Sequence, residues 1–422
     1  MKEIKRELYL KELIDRKDIP LIKVVTGVRR CGKSYLLNPI FRDYLISNGV
    51  PENHIIYLNL ELMENEDLRD RNALYHFILD QIKDNTEYFI LLDEIQLVDR
   101  FESILSSFLA KGNLNIYVTG SNSKFLSSDI ITEFRGRSEQ IHVYPLSFAE
   151  FMTAYEGDKY AGWQEYIRYG GLPLVMRYSD DKQKMSYLNE VKKNIYLKDI
   201  IERHSIRNSN ALNSLIEIVA SSVGSLTNPY KLEKTFKSKV GISLSHNTIN
   251  DYLDKLGESY IIERVKRFDV KGKQYMDTPS KYYFTDIGIR NSFVGFRQIE
   301  ENHIMENIIY TELRRRGYQV DVGIVEIFER NPKTKEKAKK QIEIDFVANR
   351  GDRKYYIQSA LTISSAEKRA IEVRPLNNVD DFFKRIIITN DLMRPGREEN
   401  GVVTMNVLDF LLDENSLEKE MS

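Results

Sequence analysis

Apolar and polar residues occur in alternating blocks along the first 150 residues, which predicts a repeated strand–helix order. Five short segments, the first of them rich in β-branched residues, are largely apolar, as is typical of buried strands. They lie at 21–27, 55–61, 88–94, 115–121 and 140–145. Helical patterns lie between them at about 33–47, 66–83 and 101–111. Such alternation predicts an α/β domain with a parallel sheet and right-handed crossover connections.

The remainder of the chain changes character twice. Residues 151–215 have helical patterns, and we interpret them as a lid or connector. Residues 216–298 have helical patterns at 227–239 and 245–261, followed by a basic hairpin whose tip is Lys271–Lys273. Two helices and a hairpin in this order predict a winged-helix-like domain.

The last segment, 299–422, returns to mixed α/β patterns. A helix is predicted at 305–320, strands at 341–348, 354–360 and 385–389, and a charged loop at 333–340. We therefore expect four domains, which are 1–150, 151–215, 216–298 and 299–422.

Composition limits the class of protein. A chain of 422 residues exceeds what one hydrophobic core usually supports, so several domains are expected. The formal net charge of −1 gives no overall attraction to nucleic acid. One cysteine excludes an intrachain disulfide scaffold, and the six histidines lack metal-site spacing. No apolar run approaches the ~18 residues of a membrane helix. The charged N-terminus lacks the apolar middle of a secretion signal, so a cytoplasmic protein that does not enter membranes is expected.

The strongest motif is GVRRCGKS, from Gly27 to Ser34, which fits G-x-x-x-x-G-K-[ST] between a strand and a helix. Its glycines allow backbone N–H groups to converge on phosphate, Lys33 would reach the β- and γ-phosphates, and Ser34 would bind Mg²⁺. The predicted nucleotide-binding segment is Gly27, Val28, Arg29, Arg30, Cys31, Gly32, Lys33, Ser34 and Tyr35. Arg29 and Arg30 could instead contact another domain, and Cys31 is interpreted as having no role of its own.

A second motif is the apolar strand FILLDE, which ends in Asp93 and Glu94. Carboxylates at the end of a buried strand are costly unless they are paired or bound to a metal. Beside a phosphate-binding loop, Asp93 would share the Mg²⁺ with Ser34, and Glu94 would act as the base for the attacking water.

Two weaker candidates follow. Ser121 and Asn122 end the fourth strand and could contact the γ-phosphate or the water, although a helix cap is an equal alternative. Arg135 and Arg137 could neutralise the γ-phosphate, within the chain or from a neighbouring subunit, although a solvated basic turn is nearly as good an interpretation. The sequence leaves monomer and homo-oligomer open.

These motifs, with FRGRSEQIHVYPLSFAEF and RYGGLP, resemble a prokaryotic AAA-type ATPase family over nearly the whole chain. In that family, the ATPase domain is fused to a C-terminal domain of unassigned function. The resemblance implies nucleotide binding through Gly27–Ser34, Asp93 and Glu94, and places the arginines near 135–137 at the end of the ATPase core.

The chemistry of the other segments is incomplete. The helix at 245–261 carries Asp251, Asp254 and Glu258, a poor match to a phosphate backbone. The hairpin is more favourable for DNA, with Arg264, Lys266, Arg267, Lys271 and Lys273, although a winged helix often only binds protein.

The C-terminal segment resembles a metal-dependent restriction-endonuclease-like domain, in which acids hold Mg²⁺ beside a lysine. The predicted helix carries Glu306 and Glu312, and the strand carries Glu343 and Asp345, of which Glu306 and Asp345 could still bind a metal weakly. Gln358 and Ala360 stand where a further acid and the lysine should be. A scaffold without cleavage activity is therefore favoured. The sequence as a whole predicts an ATP- and Mg²⁺-dependent ATPase that drives domain rearrangement. The alternative is a nucleotide-gated switch that binds DNA or an unknown protein with little turnover.

Overall fold

The computed structural model describes residues 3–120, 134, 136–206, 208–241, 244–297, 300–330, 337–392, 396–397 and 400–419. The chain divides into two compact units, one made of Met1–Pro145 with Glu258–Tyr260 and the other of Leu146–Gly257 with Ile261–Ser422.

The first unit contains a five-stranded sheet in the order β2-β3-β4-β1-β5, with every neighbouring pair parallel. The strands are β1 (Ile22–Thr26), β2 (Ile55–Asn59), β3 (Tyr88–Asp93), β4 (Leu114–Thr119) and β5 (Ser138–His142). The predicted parallel sheet is therefore confirmed. Its central strands are buried along their whole length, which explains their continuous apolar sequences.

Among its described residues, the α-helices of this unit are α1 (Glu7–Asp15), α2 (Lys33–Tyr35), α3 (Arg42–Ser47), α4 (Arg71–Gln81) and α5 (Phe101–Leu109). A π-helical stretch, Leu36–Phe41, joins α2 to α3 and contains Pro39. The predicted helix at 33–47 is interrupted there because proline has no N–H to donate and Asn38 has non-helical dihedral angles. The core includes Val24, Leu92, Phe108 and Val118.

The second unit begins with a run of α-helices. They are α6 (Phe148–Ala154), α7 (Lys159–Tyr169), α8 (Asp181–Glu190), α9 (Lys198–Arg203), α10 (Ser209–Ser221), α11 (Pro229–Thr235) and α12 (His246–Glu258). Ser245 caps α12 by accepting the N–H of Thr248 with its hydroxyl oxygen. Further along lie α13 (Ile287–Phe293), α14 (Glu301–Arg315), α15 (Ala366–Asn377) and α16 (Val407–Leu412).

An eight-stranded mixed sheet forms the rest of the second unit, in the order β12-β13-β11-β10-β9-β8-β6-β7. Its strands are β6 (Ile262–Asp269), β7 (Gln274–Phe284), β8 (Gln319–Arg330), β9 (Lys337–Arg350), β10 (Arg353–Ala360), β11 (Lys384–Thr389), β12 (Gly396–Arg397) and β13 (Val403–Asn406). The predicted hairpin is β6–β7, and β6 also pairs with β8 in parallel. The segments predicted as 216–298 and 299–422 thus share one sheet.

The charged stretch predicted as a loop at 333–340 is partly strand. From Lys337 onward it belongs to β9, while 333–336 lie outside the described residues. Ion pairs across β8 and β9, such as Lys339 with Glu326 at 2.5 Å and Lys340 with Glu329 at 3.2 Å, stabilise lysines in an extended conformation.

Candidate functional site

The loop between β1 and α2 needs glycine at both of its ends. Gly27 has a φ of 140°, and a Cβ atom there would lie 2.1 Å from the carbonyl oxygen of Val143. Gly32, directly before α2, has a φ of 101°. Both angles are in the region that favours glycine, so the local chain direction depends on these residues. The result is a tight loop that leads into a helix N-terminus, where backbone N–H groups favour anions.

Lys33 is buried under this loop. Its ammonium nitrogen donates to the carbonyl oxygens of Gly27 at 3.0 Å and Val28 at 3.1 Å. The side chain is 5% exposed and so is held in a defined place. A phosphate oxygen would form a charge-assisted bond with the same ammonium group in place of these neutral carbonyls.

Asp93 and Thr119 lie side by side because β3 and β4 are parallel neighbours with Leu92 opposite Val118. The Thr119 hydroxyl donates to Oδ1 of Asp93. Burial raises the pKa of Asp93, while the nearby Thr119 and Ser34 hydroxyl groups oppose that rise. Within the described part of the chain, Oδ2 of Asp93 is buried without a hydrogen-bond partner.

That orphaned oxygen fits a hard divalent cation. Carboxylate and hydroxyl oxygens are suitable ligands for Mg²⁺, which commonly uses one carboxylate together with substrate phosphates. Asp93 and Ser34 are close enough for the Ser34 hydroxyl to stabilise the charged form of the Asp93 side chain. The two predicted metal ligands are therefore adjacent.

Glu94 has an unusual backbone conformation, with φ 57° and ψ 44°. Its N–H donates to Oγ1 of Thr119 at 3.0 Å, and Oε2 of its side chain accepts from Nε2 of Gln96. A left-handed conformation costs a non-glycine residue about 1–3 kcal/mol and is concentrated at functional sites. This conformation ends the strand and leads directly into a short helical turn, Ile95–Leu97.

Other residues of the predicted loop surround this centre. Val28 and Cys31 are buried, and Cys31 Sγ lies 3.3 Å from the carbonyl oxygen of Val143. Arg30 is exposed with a φ of 68°, and Arg29 is half-buried. Tyr35 is 49% exposed, and its hydroxyl donates to Glu3 at 3.2 Å.

Arg6 has a structural role that sequence analysis missed. It is 5% exposed and donates to the carbonyl oxygens of Cys31 at 3.4 Å and Tyr144 at 2.5 Å. Its guanidinium group also lies 4.7 Å from the ring centre of Tyr9. Arg6 thus ties the loop to the chain after β5. It was missed because it appears in a charged N-terminal stretch, where arginine usually faces water.

Three of the weaker candidates, Ser121, Asn122 and Arg135, lie outside the described residues. Arg137 is exposed directly before β5, and its carbonyl oxygen accepts the N–H of Ile22 at 2.9 Å. The proposed roles of these four residues in phosphate chemistry stay predictions.

The basic hairpin has many internal contacts. Arg264 donates to the carbonyl oxygen of Asp277 at 2.8 Å, and Arg267 donates to that of Pro279 at 3.0 Å. Lys266 pairs with the Asp277 carboxylate at 2.9 Å. These contacts direct positive charge toward the protein itself, which weakens the case for a phosphate-binding surface here.

The nuclease-like acids do not form a metal site by themselves. No cluster of three or more His, Cys, Asp or Glu side chains suited to a metal occurs among the residues that the structure describes. Gln358 Oε1 accepts the Asp345 N–H at 3.4 Å, while Ala360 is buried. In the same described ranges, none of the helices is both long and apolar enough to span a bilayer.

Similarity to solved structures is weak. Against AMPPCP-bound DnaA from Aquifex aeolicus, identity is 14% and the TM-score 0.29, over 61% of this chain and 89% of that chain. Against the Aeropyrum pernix ORC1 protein in complex with DNA, identity is 13% and the TM-score 0.28, over 70% and 93%. Scores this low carry no argument about fold or function.

Sequence relatives are more informative. An uncharacterized protein from Haemophilus influenzae is 35% identical over 415 residues, which covers 97% of this chain and 98% of the relative. An uncharacterized protein from Methanocaldococcus jannaschii is 31% identical over 416 residues, covering 92% and 86%. Residues 20–152 match the AAA domain, and residues 160–300 match a Domain of unknown function (DUF8612). The chain therefore belongs to the same family as these two proteins and carries an AAA domain of the P-loop ATPase class in its N-terminal part.

Proposed function

We propose that this protein binds ATP with Mg²⁺ and hydrolyses it to ADP and phosphate, and that turnover rearranges the C-terminal half of the chain. The observation that carries the proposal is the contact of Thr119 with both acids at the end of β3, close to Ser34 and Lys33. The AAA domain match over residues 20–152 supports the same class of activity.

Phosphate binding, metal binding and positioning of the acids are assigned to different residues. Backbone N–H groups of the loop and the Lys33 ammonium bind the β- and γ-phosphates. Ser34 and Asp93 would hold Mg²⁺, which offsets the negative charge of the phosphates when it is bound. Thr119 fixes the positions of Asp93 and Glu94 relative to each other.

Glu94 is the proposed general base. Its carboxylate accepts a proton from a water molecule as the water oxygen bonds to the γ-phosphorus and the bond to the β,γ-bridging oxygen breaks. The amide of Gln96 already bonds with this carboxylate, and so limits the directions it can take. We propose that Gln96 orients the base.

The alternative function is a nucleotide-gated switch with little turnover that recruits DNA or a protein. Two features favour hydrolysis instead. Glu94 follows the metal-binding aspartate directly, and the hairpin arginines bond to backbone carbonyls rather than project freely. A switch would bind ATP as tightly but would not depend on Glu94 for any release of phosphate.

Phosphate release by wild type and Glu94→Gln tests the proposal, with Mg-ATP affinity measured in parallel. We expect similar affinity for both and a turnover rate lower by about 100-fold or more in the variant, since general bases contribute roughly 10²–10⁴-fold. Glu61→Gln is a matched control because Glu61 is an exposed acid after β2. Equal turnover in wild type and Glu94→Gln would refute the assignment.

A further inference from the structure

Lys281, on β7, lies among three carboxylates that come from other elements. Its ammonium nitrogen is 2.7 Å from Oε1 of Glu306 on α14, 2.7 Å from Oε1 of Glu343 and 3.4 Å from Oδ1 of Asp345, both on β9. We call these four residues the Lys281 cluster. The Lys281 side chain is 3% exposed, so this is an internal arrangement rather than a surface ion pair.

Neighbouring groups fix the acids in place. The Tyr283 hydroxyl donates to Oε1 of Glu306 at 2.6 Å, and the Ser359 backbone N–H donates to Oδ2 of Asp345 at 2.9 Å. The side chains of Glu306 and Asp345 are 7% and 11% exposed. Only Glu343, at 29%, has substantial access to water. The Lys281 ammonium nitrogen therefore lies within 3.4 Å of one oxygen of each of the three acids.

The charges explain why a cation is needed there. Two buried carboxylates beside a third that is partly exposed are stable only when their charge is neutralised. Burial opposes the charged form of Lys281, but the surrounding anionic groups outweigh it and raise its pKa well above the ordinary value. Burial raises the pKa of Asp345 to about 8, with Glu306 and Glu343 adding to the rise and Lys281 opposing it. One ammonium group and one retained proton therefore reduce the negative charge of the cluster.

In the restriction-endonuclease-like domain that the sequence resembles, acids at these positions would hold the metal ion. The element order from α14 through β8, β9, β10 and α15 to β11 is αβββαβ, and Glu306 and Asp345 occupy its first helix and second strand. Gln358 and Ala360 on β10 provide neither a further carboxylate nor a lysine. The lysine comes from β7 instead, and its contacts with all three acids leave no carboxylate free of the ammonium group.

We propose that Lys281 is the resident cation of this carboxylate site, that it takes the place of a divalent metal ion, and that the cluster braces β7, α14 and β9 together instead of cleaving phosphodiesters. Burial supports a brace, because a phosphodiester substrate would have to reach groups that are almost wholly covered. The cluster also joins the hairpin segment to the C-terminal segment, in agreement with the pairing of β6 with β8.

Manganese binding to the full-length, nucleotide-free protein tests this proposal. Free Mn²⁺ is followed by electron paramagnetic resonance after treatment with EDTA, and melting temperature is measured with and without Mn²⁺. Wild type and Asp345→Asn should bind the same number of ions, since the cluster of the wild type holds no metal. Any ion bound near Asp93 is present in both proteins and therefore does not change the difference between their ion counts.

Lys281→Met should open the site, because carboxylate oxygens suit Mn²⁺. We expect one additional ion per chain, and a rise in melting temperature of roughly 5–10 °C at a hundredfold excess over the dissociation constant. The double variant Lys281→Met, Asp345→Asn should show neither the additional ion nor the rise in melting temperature. Lys281→Arg should bind no additional ion.

Two outcomes would overturn the proposal. One is an Asp345-dependent Mn²⁺ site in wild type, or plasmid nicking by wild type that Asp345→Asn abolishes, either of which would make the cluster a metal centre. The other is a folded Lys281→Met protein that gains no ion. The first comparison does not use Lys281→Met, so it decides the matter even where that variant fails to fold. Neither outcome bears on ATP turnover.

Discussion

The hydroxyl oxygen of Thr119 accepts the backbone N–H of Glu94 at 3.0 Å, and the same hydroxyl donates to the carboxylate of Asp93. One side chain at the end of β4 thus holds both acids at the end of β3. The two acids are consecutive but have different proposed tasks, metal binding and proton transfer. Their relative position depends on a residue 25 positions or more away in the sequence.

Thr119→Val should separate the two acids while it preserves side-chain shape. It leaves the Glu94 N–H without its partner and removes the donor to Asp93, which costs about 1–3 kcal/mol for buried groups. We expect kcat for ATP to fall by roughly 10-fold with a smaller change in KM. Thr119→Ser keeps the hydroxyl and should restore turnover. Unchanged kcat in a folded Thr119→Val protein would contradict this role.

Gly27→Ala should damage the phosphate loop specifically. The added methyl group would meet the Val143 carbonyl oxygen at 2.1 Å, so the loop must move. Gly112→Ala is the matched control, because Gly112 also has a positive φ, 78°, but has nothing within 4 Å of the new Cβ position. Both variants carry a backbone cost of about 1–2 kcal/mol. Only Gly27→Ala should weaken Mg-ATP binding, by about 10-fold or more, in a fluorescent-nucleotide titration. Equal affinity in the two variants would show that the loop adapts.

Metal removal should abolish turnover, and Asp93 should set the metal requirement. EDTA is expected to stop phosphate release, and added Mg²⁺ to restore it. Asp93→Asn removes the charged ligand and should raise the Mg²⁺ concentration for half-maximal rate by about 10–100-fold. Glu61→Gln should leave that concentration unchanged. An Asp93→Asn enzyme with the metal dependence of wild type would exclude Asp93 as a ligand.

Asp286 should make stability depend on pH. It accepts the N–H groups of Gly171 at 2.8 Å and Ile289 at 2.9 Å, and burial raises its pKa from 3.8 to about 6 despite these bonds. The folded state therefore holds this proton more tightly than the unfolded chain. The resulting stability is complete below pH 3.8 and is lost as the pH rises through about 6.

Asp286→Asn isolates this effect because asparagine does not titrate. The difference in unfolding free energy between variant and wild type should shift in favour of the variant by about 3 kcal/mol between pH 3.5 and pH 7. Denaturant unfolding at the two pH values measures it. A difference that is constant with pH would mean that Asp286 titrates normally.

The parallel sheet and the phosphate loop could be predicted because their signals are local. Continuous apolar runs such as Phe89–Leu92 form central strands wherever helices cover both faces. The backbone angles at two positions of one loop require glycine, so a short sequence motif is enough to identify Gly27 and Gly32. The structure of such elements is determined by a few consecutive residues.

Thr119, Arg6 and Lys281 could not be predicted in the same way. Thr119 meets Asp93 through strand pairing, and Arg6 meets Tyr144 across 138 positions. Lys281 is one basic residue among several in a hairpin, and only the sheet order brings it to acids 25 to 64 positions away. Of these three residues, only Thr119 had a recognisable signal in the sequence, because it is a polar residue at the end of a buried strand.

The most direct measurement of the central claim is calorimetry of Mg-ATP with folded wild type and Lys33→Ala. Wild type should bind one nucleotide per chain. Lys33→Ala should bind about 10–100-fold more weakly, because a hydrogen bond from a charged donor contributes about 1.5–3 kcal/mol. Lys111→Ala, at an exposed lysine of the same unit, should match wild type. No heat of binding for wild type, or equal affinity in Lys33→Ala, would contradict nucleotide binding by this loop.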